Sequence, residues 1–211
     1  MTPIQPATDI TGLVLAGGRG SRMGGLDKGL QYFEDEPLAL RALQRLAPQV
    51  WTTLLSANRN TLTYEFFGAP VLADARTDYP GPLAGFLVGL QQCRTPCLLT
   101  VPCDAPRFPL DLAARLTDAL NDSDADIAMP NAPMLQPDGS TVLRPQPVFC
   151  LLRTTLRDSL EQFMHAGGRK VLAWTALHDT VVVPFDRPGD APDAFANANT
   201  LAELNALASP P

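Results

Sequence analysis

Histidine and cysteine are scarce in this chain, and neither is arranged for chemistry. The two histidines, His165 and His178, have no metal-ligand spacing and complete no Ser/His/Asp or Cys/His constellation. The four cysteines stand at positions 93, 97, 103 and 150, without a C-x-x-C pair. A zinc site, a disulfide framework and a nucleophile supplied by the protein are therefore disfavoured, and the cysteines are expected to be buried free thiols.

Long apolar runs and a surplus of positive charge are also lacking. No run approaches the roughly 20 residues of a membrane span. Residues 1–10 have neither the basic start nor the apolar core of a signal peptide. Lys and Arg together number 16 against 22 Asp and Glu, so the surface as a whole repels nucleic acid. We expect a cytoplasmic protein without a membrane or nucleic-acid partner.

Short apolar runs alternate with helical patterns, as in repeated βαβ units. The run Cys97–Val101 is almost continuously apolar, which is typical of a parallel strand covered on both faces. The sequence predicts an α/β, Rossmann-like fold with a mainly parallel sheet in three layers. The predicted strands are 11–16, 50–56, 70–73 and 96–101, and the first predicted helices are 37–47, 82–93 and 109–120.

The second half of the chain departs from this alternation. Prolines in 130–147 forbid a regular helix, and Pro137-Asp138-Gly139 predicts a turn between two short extended pieces. We expect a small antiparallel excursion there. Further helices are predicted at 153–165 and 168–177, a strand at 180–183 and a last helix from about Thr200. The chain is interpreted as one domain over 10–208, with loose ends at 1–9 and 209–211.

Residues 15–29, LAGGRGSRMGGLDKG, begin at the last residue of the apolar run Leu13-Val14-Leu15 and contain most of the chemical information. The glycines allow positive φ and bring bare amides close to an anion, while Arg19, Arg22 and Lys28 supply positive charge. No Ser or Thr follows the lysine as in a Walker loop, and Met23 replaces the third glycine of the dinucleotide fingerprint. This segment is interpreted as a triphosphate-binding loop, and an ordinary glycine-rich surface loop is the alternative.

Polar residues follow the other predicted strands. Asp104 stands between two prolines and is suited to Mg²⁺, which needs few carboxylates when phosphates and water complete its shell. An Asx turn or helix cap is the alternative for Asp104. Asp74 is either a ligand or a solvated loop residue, and Ser56 and Asn58 suit either a ligand or a local turn.

The segment 15–28 resembles the signature LAGGxxxRMGGxDK of the molybdenum cofactor guanylyltransferases, a family of glycosyltransferase-A-like nucleotidyltransferases. The resemblance continues through DYPGPLAG at 78–85, PCDAP at 102–106, AGGRKV at 166–171 and FANANT at 195–200. It covers nearly the whole chain, in the family's order.

The resemblance implies transfer of GMP from GTP to the terminal phosphate of molybdopterin, with or without molybdenum, with Mg²⁺ as cofactor and pyrophosphate as by-product. It implies catalytic roles for Arg22, Lys28 and Asp104, with Asp104 as the metal ligand. The implied nucleotide-binding residues are Leu15, Ala16, Gly17, Gly18, Gly25, Lys28, Ser56, Asn58, Asp74, Gly81, Gly85 and Asp104. The implied pterin-binding residues are Arg169, Lys170, Asn197 and Asn199.

Two departures from the family pattern leave alternatives open. Serine occupies position 56 where members carry asparagine, so either Ser56 or Asn58 contacts the nucleotide. Lys170 stands where some members have arginine, which keeps the charge but loses the planar fork. The alternatives are that Arg169 and Lys170 are ordinary solvated cations at the start of a helix and that Asn199 is the N-cap of the last helix.

Other functions fit parts of this pattern. A cytidylyltransferase for the same pterin, or a sugar-phosphate nucleotidyltransferase, shares the fold and the loop. The cytidylyltransferases typically resemble LAAG with DQP where this chain has LAGG with CDAP, and these differences favour guanine. A non-catalytic chaperone that retains the pocket and passes the pterin to apoenzymes belongs to another class. Transient partners are expected among cofactor-supplying proteins, chaperones and apo-molybdoenzymes.

Overall fold

The structure is a computed structural model that describes residues 2–16, 26–73, 81–136, 138–198 and 200–208. Its strands are β1 Ile10–Leu15, β2 Tyr32–Phe33, β3 Glu36–Pro37, β4 Thr52–Ser56, β5 Val71–Leu72, β6 Cys97–Pro102, β7 Ile127–Leu135, β8 Thr141–Pro145, β9 Cys150–Arg153 and β10 Thr180–Pro184. Its α-helices are α1 Pro6–Asp9, α2 Leu38–Leu46, α3 Thr61–Glu65, α4 Pro82–Gln92, α5 Leu112–Asn121, α6 Arg157–His165, α7 Val171–Thr175 and α8 Leu201–Ala208. Short 3₁₀ turns span Lys28–Leu30, Ala47–Gln49 and Thr154–Leu156.

The main sheet has the strand order β10-β7-β9-β6-β1-β4-β5, and β8 pairs with β7. Strands β6, β1, β4 and β5 are mutually parallel, and β10 is parallel to β7. Strand β9 is antiparallel to both of its neighbours, β6 and β7. Among the described strands, the sheet is therefore mainly parallel, which confirms the predicted fold class.

Helices cover both faces of the sheet. On one face, Leu46 of α2 and Leu116 of α5 belong to a buried cluster with Val14 of β1. On the other face, Leu87 of α4 and Leu160 of α6 belong to a separate buried cluster. Since successive side chains of a strand point to opposite faces, the apolar strands supply both clusters. The result is the predicted three-layer arrangement.

Helix α5 shows how the apolar spacing decides packing. Leu112, Leu116 and Leu120 are all at most 1% exposed, as their four-residue spacing predicts. The helix begins at Leu112, three residues after the predicted start at Pro109, with Asp111 at the N-cap. The stripe packs against the sheet and supplies no side chain to the site.

The predicted antiparallel excursion is the hairpin of β7 and β8. Its strands pair from Asn131 with Pro145 to Leu135 with Thr141. Gly139, with φ 82°, lies in the turn, while Pro137 is outside the described residues. The hairpin extends β7 past its pairing with β9, so it projects beyond the carboxyl end of the sheet. Strand β9 and the short helix α3 were not predicted.

The N-terminal segment is packed, in contrast to the predicted loose tail at 1–9. Ile4 is only 6% exposed, and its main-chain N–H and C=O both bond to the side chain of Asn121 in α5. Helix α1 then leads directly into β1. Burial of one isoleucine and two hydrogen bonds to a single asparagine hold this segment, which composition alone did not reveal. No helix among the described residues is long and apolar enough to cross a membrane.

Candidate active site

The carboxyl ends of four neighbouring strands lie level. Leu15 of β1 is in register with Ser56 of β4 on one side and with Pro102 of β6 on the other. Ser56 is in turn in register with Leu72 of β5. Ligands of open parallel sheets bind beyond such strand ends. The described residues that follow these strands, among them Ala16 and Asp104, therefore border one crevice.

Lys28 and Asp104 form an ion pair in this crevice. The distance from Lys28 Nζ to Asp104 Oδ2 is 2.6 Å, and the two side chains are 22% and 20% exposed. Hydrogen bonds between two charged groups of such limited exposure are among the strong ones. The N-cap of α5 is Asp111, so the interpretation of Asp104 as a helix cap is wrong. The structure thus brings together two of the three catalytic residues that the resemblance implies.

Hydrogen bonds of the sheet occupy main-chain amides beside this ion pair. Cys103 N donates to Leu15 O at 3.1 Å, and Ala16 N donates to Ser56 O at 2.9 Å. Because the Ala16 amide is occupied, a nucleotide can contact Ala16 only through its carbonyl oxygen or methyl group. Burial, with a smaller contribution from Asp104, raises the pKa of the Cys103 thiol. Cys103 therefore stays protonated and is a core residue.

Ser56 and Asn58 differ in accessibility. Ser56 is 2% exposed, and a Cβ at position 85 would lie 3.2 Å from its hydroxyl oxygen, so it faces the first turns of α4. Asn58 is exposed, two residues beyond the end of β4. Of these two candidates, Asn58 is the one that a ligand in solvent can reach.

Two glycines fix α4 at the crevice for different reasons. Gly81, the N-cap, has φ 117° and open space around it, so its backbone conformation is what favours glycine. Gly85 faces the sheet, where a Cβ would collide with the Leu15 side chain. Both positions thus serve the fold, and the nucleotide contacts that the resemblance implies for them stay predictions.

The C-terminal candidate segment adjoins the ion pair. Ala198 N donates to Asp104 O at 3.0 Å, and exposed Asn197 precedes it. Phe195 anchors the segment through edge-to-face contacts with Phe149 and Phe185, at centroid distances of 5.0 and 5.1 Å. The structure therefore brings Asn197 to the edge of the crevice that contains Asp104.

Arg169 and Lys170 lie in the connection between α6 and α7. Both are exposed, and the Arg169 guanidinium donates to Met164 O at 3.2 Å and Gly168 O at 2.9 Å. Gly167, with φ 90°, ends α6 in a turn in which Gly168 N bonds to Phe163 O. The glycines of the AGGRKV motif are thus explained by helix termination. The pterin role of Arg169 and Lys170 stays a prediction.

Several candidate residues lie outside the described part of the chain. These are Gly17, Gly18, Arg22 and Gly25 of the glycine-rich loop, Asp74 after β5, and Asn199. For α8, the helix cap is supplied by Thr200, whose hydroxyl accepts a hydrogen bond from Glu203 N at 3.1 Å. The predicted start of the last helix near Thr200 is confirmed.

Sequence reasoning gave no role to five residues that support the site. Asp27 bonds to Asn60 and Tyr64 of a neighbouring segment, and Arg107 pairs with Asp193. Asp27 lies inside the glycine-rich motif at 15–29, so its importance was predictable from the sequence. Tyr64 and Arg107 belong to no motif, and their importance depends on tertiary contacts.

The donor set suits a metal that arrives with its substrate. Among the described residues, no group of three or more His, Cys, Asp or Glu side chains is placed to hold a metal ion. Asp104 presents a partly exposed carboxylate at the crevice. One carboxylate fits Mg²⁺, which takes its other ligands from phosphates and water. The Asp104 carboxylate thus fits the kind of ligand that Mg²⁺ takes, and the magnesium site stays a prediction.

An α/β fold with a crevice beyond level parallel strand ends is typical of nucleotide-binding proteins. Residues 12–184 match the MobA-like NTP transferase domain family, and the chain belongs to that family. The family resemblance in the sequence is thereby confirmed.

Curated relatives match over nearly their whole length. A protein from Acidovorax sp. (strain JS42) is 62% identical over 200 residues, covering 94% of this chain and 95% of that protein. One from Albidiferax ferrireducens is 61% identical over 208 residues, covering 98% and 99%. Both are named molybdenum cofactor guanylyltransferase.

A solved structure shares the fold. The crystal structure of molybdopterin-guanine dinucleotide biosynthesis protein A from Archaeoglobus fulgidus superposes with a TM-score of 0.72 at 20% identity. The match covers 93% of this chain and 95% of that one. At this identity the similarity supports the architecture alone.

Proposed function

We propose that this protein transfers GMP from GTP to molybdopterin. An oxygen of the pterin's terminal phosphate attacks the α-phosphorus of GTP, the bond from that phosphorus to the bridging oxygen of the β-phosphate breaks, and pyrophosphate leaves. The product is the guanine dinucleotide form of the cofactor. The names of relatives at 61% and 62% identity over nearly full length support this assignment.

The Lys28–Asp104 pair is the structural observation that carries the proposal. It places one cation and one carboxylate 2.6 Å apart, beyond level strand ends where nucleotides bind in open sheets. The main-chain bond from Ala198 to Asp104 joins the implied pterin segment to the same point. A nucleotide and a second phosphorylated substrate would meet there.

The residues present suit phosphoryl-type transfer without a protein nucleophile. Such reactions depend mainly on in-line positioning and on neutralising the departing charge. Lys28 would move from Asp104 to the GTP phosphates, with Arg22 as a second cation. Ala16, Asn58 and the first turn of α4 would border the nucleotide, and Asn197 and Asn199 would contact the pterin.

Magnesium dependence is part of the proposal. Asp104 would hold the ion, and bound Mg²⁺ would neutralise charge on the phosphates. Because its carboxylate already pairs with Lys28, binding of the metal and movement of the lysine would occur together. Apo-molybdoenzymes or cofactor chaperones are the expected recipients of the product.

The test is incubation of the purified protein with molybdopterin, Mg²⁺ and, in parallel, GTP, CTP or ATP, followed by mass detection of the dinucleotide and assay of pyrophosphate. We expect the guanine dinucleotide with GTP only, and none without Mg²⁺. Formation of the cytosine dinucleotide with CTP would show that the protein transfers CMP from CTP and would overturn the assignment of guanine. Tight pterin binding without pyrophosphate release would indicate a chaperone.

A further inference from the structure

Asp27 and Lys28 are neighbours in sequence whose side chains bond to different parts of the fold. Lys28 reaches Asp104 across the crevice. The Asp27 carboxylate bonds instead to the segment after β4: Oδ1 accepts from the Tyr64 hydroxyl at 2.6 Å, and Oδ2 accepts from Asn60 Nδ2 at 2.8 Å. The chain is thus held immediately before Lys28.

The partners of Asp27 are themselves fixed. Tyr64 is fully buried in α3, and its ring meets Phe67 edge to face at a centroid distance of 5.5 Å. Burial, together with the hydrogen bond to Asp27, raises the pKa of Tyr64, so its hydroxyl stays protonated and donates. Asn60 has φ 49°, a left-handed conformation that asparagine tolerates well.

The same carboxylate organises the turn that contains Lys28. Asp27 Oδ1 also accepts from Gly29 N at 3.3 Å, and Asp27 O accepts from Gln31 Nε2 at 2.9 Å. A Cβ at position 29 would collide with the Tyr64 hydroxyl and lie 3.1 Å from Ala16 Cβ. The turn is therefore packed between the end of β1 and Tyr64.

We propose that Asp27, held by Tyr64 and Asn60, is a positioning residue that fixes the backbone of Lys28 so that its ammonium group is aimed into the crevice. The inference rests on the proposed function, in which Lys28 contacts the GTP phosphates. It assigns a catalytic consequence to a buried tyrosine hydroxyl in α3.

The physical reason is the flexibility of lysine. Its four-carbon stem lets the ammonium group range widely unless the backbone is fixed. A displacement of about 1 Å at a catalytic group can cost about 100-fold in rate. Loss of one of several bonds to Asp27 should loosen the turn without unfolding α3, since the aromatic ring still fills its site.

The test begins with Tyr64→Phe, which removes only the hydroxyl. We expect kcat to fall by about tenfold, with KM for GTP changed less than about threefold, because Lys28 acts chiefly on charge that develops during transfer. The matched control is Tyr32→Phe, since Tyr32 is 66% exposed on β2. Turnover of that variant should stay within about twofold of the wild type.

A double-mutant cycle with Lys28→Gln separates positioning from general stability. If Tyr64 acts through Lys28, then Tyr64→Phe should change turnover by less than about twofold in the Lys28→Gln protein. GTP affinity, measured by calorimetry, should be changed by Tyr64→Phe less than about threefold in both backgrounds. An equal loss of turnover in both backgrounds would show that Tyr64 acts independently of Lys28 and would overturn the inference.

A second variant tests whether a folding defect explains the effect of Tyr64→Phe. Asn60→Gly keeps the left-handed backbone and removes the amide donor, so it should lower turnover in the same direction as Tyr64→Phe. If Lys28→Gln alone has wild-type turnover and GTP affinity, the role of Lys28 in the proposed function fails. If Lys28→Gln is inactive while Tyr64→Phe and Asn60→Gly are fully active, only the positioning role fails.

Discussion

Ala198 donates its main-chain N–H to the carbonyl oxygen of Asp104 at 3.0 Å, joining two segments 94 residues apart in sequence. A second link lies close by, since Arg107 Nη1 donates to Asp193 Oδ2 at 2.8 Å. The loop that contains the candidate metal ligand and the segment that contains Asn197 are thus held together. A substitution in one of these two segments should therefore affect the position of the other.

Loss of the Arg107–Asp193 pair should weaken pterin binding selectively. Arg107→Gln removes the charge from a hydrogen bond that restrains the segment before Asn197. We expect molybdopterin affinity to fall by about threefold to fivefold, since a partly exposed ion pair contributes at most about 1 kcal/mol. GTP affinity should change by less than about twofold, as for unrelated surface changes. Separate calorimetric titrations with GTP and molybdopterin check this.

Arg94→Gln is the matched control, because Arg94 is exposed between α4 and β6. Both affinities should be unchanged in that variant. Weaker GTP binding with normal pterin binding in Arg107→Gln would reverse the assigned halves of the crevice.

Asp104→Asn should affect turnover and the magnesium requirement together. The amide keeps the shape of the side chain but loses the anionic oxygen that pairs with Lys28 and suits Mg²⁺. Turnover should fall by about 100-fold or more, and half-maximal activity should require more Mg²⁺. A magnesium titration of activity measures both, with Asp122→Asn, at an exposed position, as control. A lower rate with an unchanged magnesium midpoint would show that Asp104 does not bind Mg²⁺ and acts only through its ion pair with Lys28.

Native alkylation should distinguish the cysteines. Burial raises the pKa of Cys97 to about 11 and also raises the pKa values of Cys103 and Cys150. Cys93 is only half-buried, so iodoacetamide at mildly alkaline pH should label it first. Peptide mass mapping checks this, and Cys93→Ser should remove the fast label. Rapid labelling of Cys103 in the folded protein would contradict the burial argument.

The architecture was largely predictable from the sequence because its signals are local. Apolar runs such as Cys97–Val101 mark the parallel strands, and the leucines of α5 mark one helical face. Once the strands are parallel neighbours, their carboxyl ends must meet at one edge. The sequence therefore placed Lys28 and Asp104 in one crevice without any knowledge of their contact.

The supporting contacts were less predictable because they join distant segments. Lys28 and Asp104 are 76 residues apart, and Asp27 and Tyr64 are 37 apart. Helix α3 has only five residues, too few for an apolar periodicity that would predict it. In the N-terminal segment, the main chain of Ile4 bonds to the side chain of Asn121, 117 residues away. Such pairings depend on tertiary register, which local patterns do not encode.

Asp190 should make folding stability depend on acid pH. It pairs at 2.8 Å with Arg115 of α5, a guanidinium only 7% exposed that stacks 3.6 Å from the Phe185 ring centroid. The hydrogen bond from Arg115 is the main cause that lowers the pKa of Asp190. Removing the charge with Asp190→Asn leaves the buried cation poorly compensated. We expect the free energy of unfolding at neutral pH to fall by about 2 kcal/mol.

The sign of the pH effect follows from the lowered pKa. The stabilisation by Asp190 is complete above its unfolded pKa, about 3.9, and is lost as the pH falls through the lower folded pKa. The difference between wild type and Asp190→Asn should therefore be constant near neutrality and shrink below about pH 4. Urea unfolding across this range measures it, with Asp186→Asn, at an exposed position, as control. A difference that persists undiminished in acid would mean that the carboxylate charge is not what stabilises Arg115.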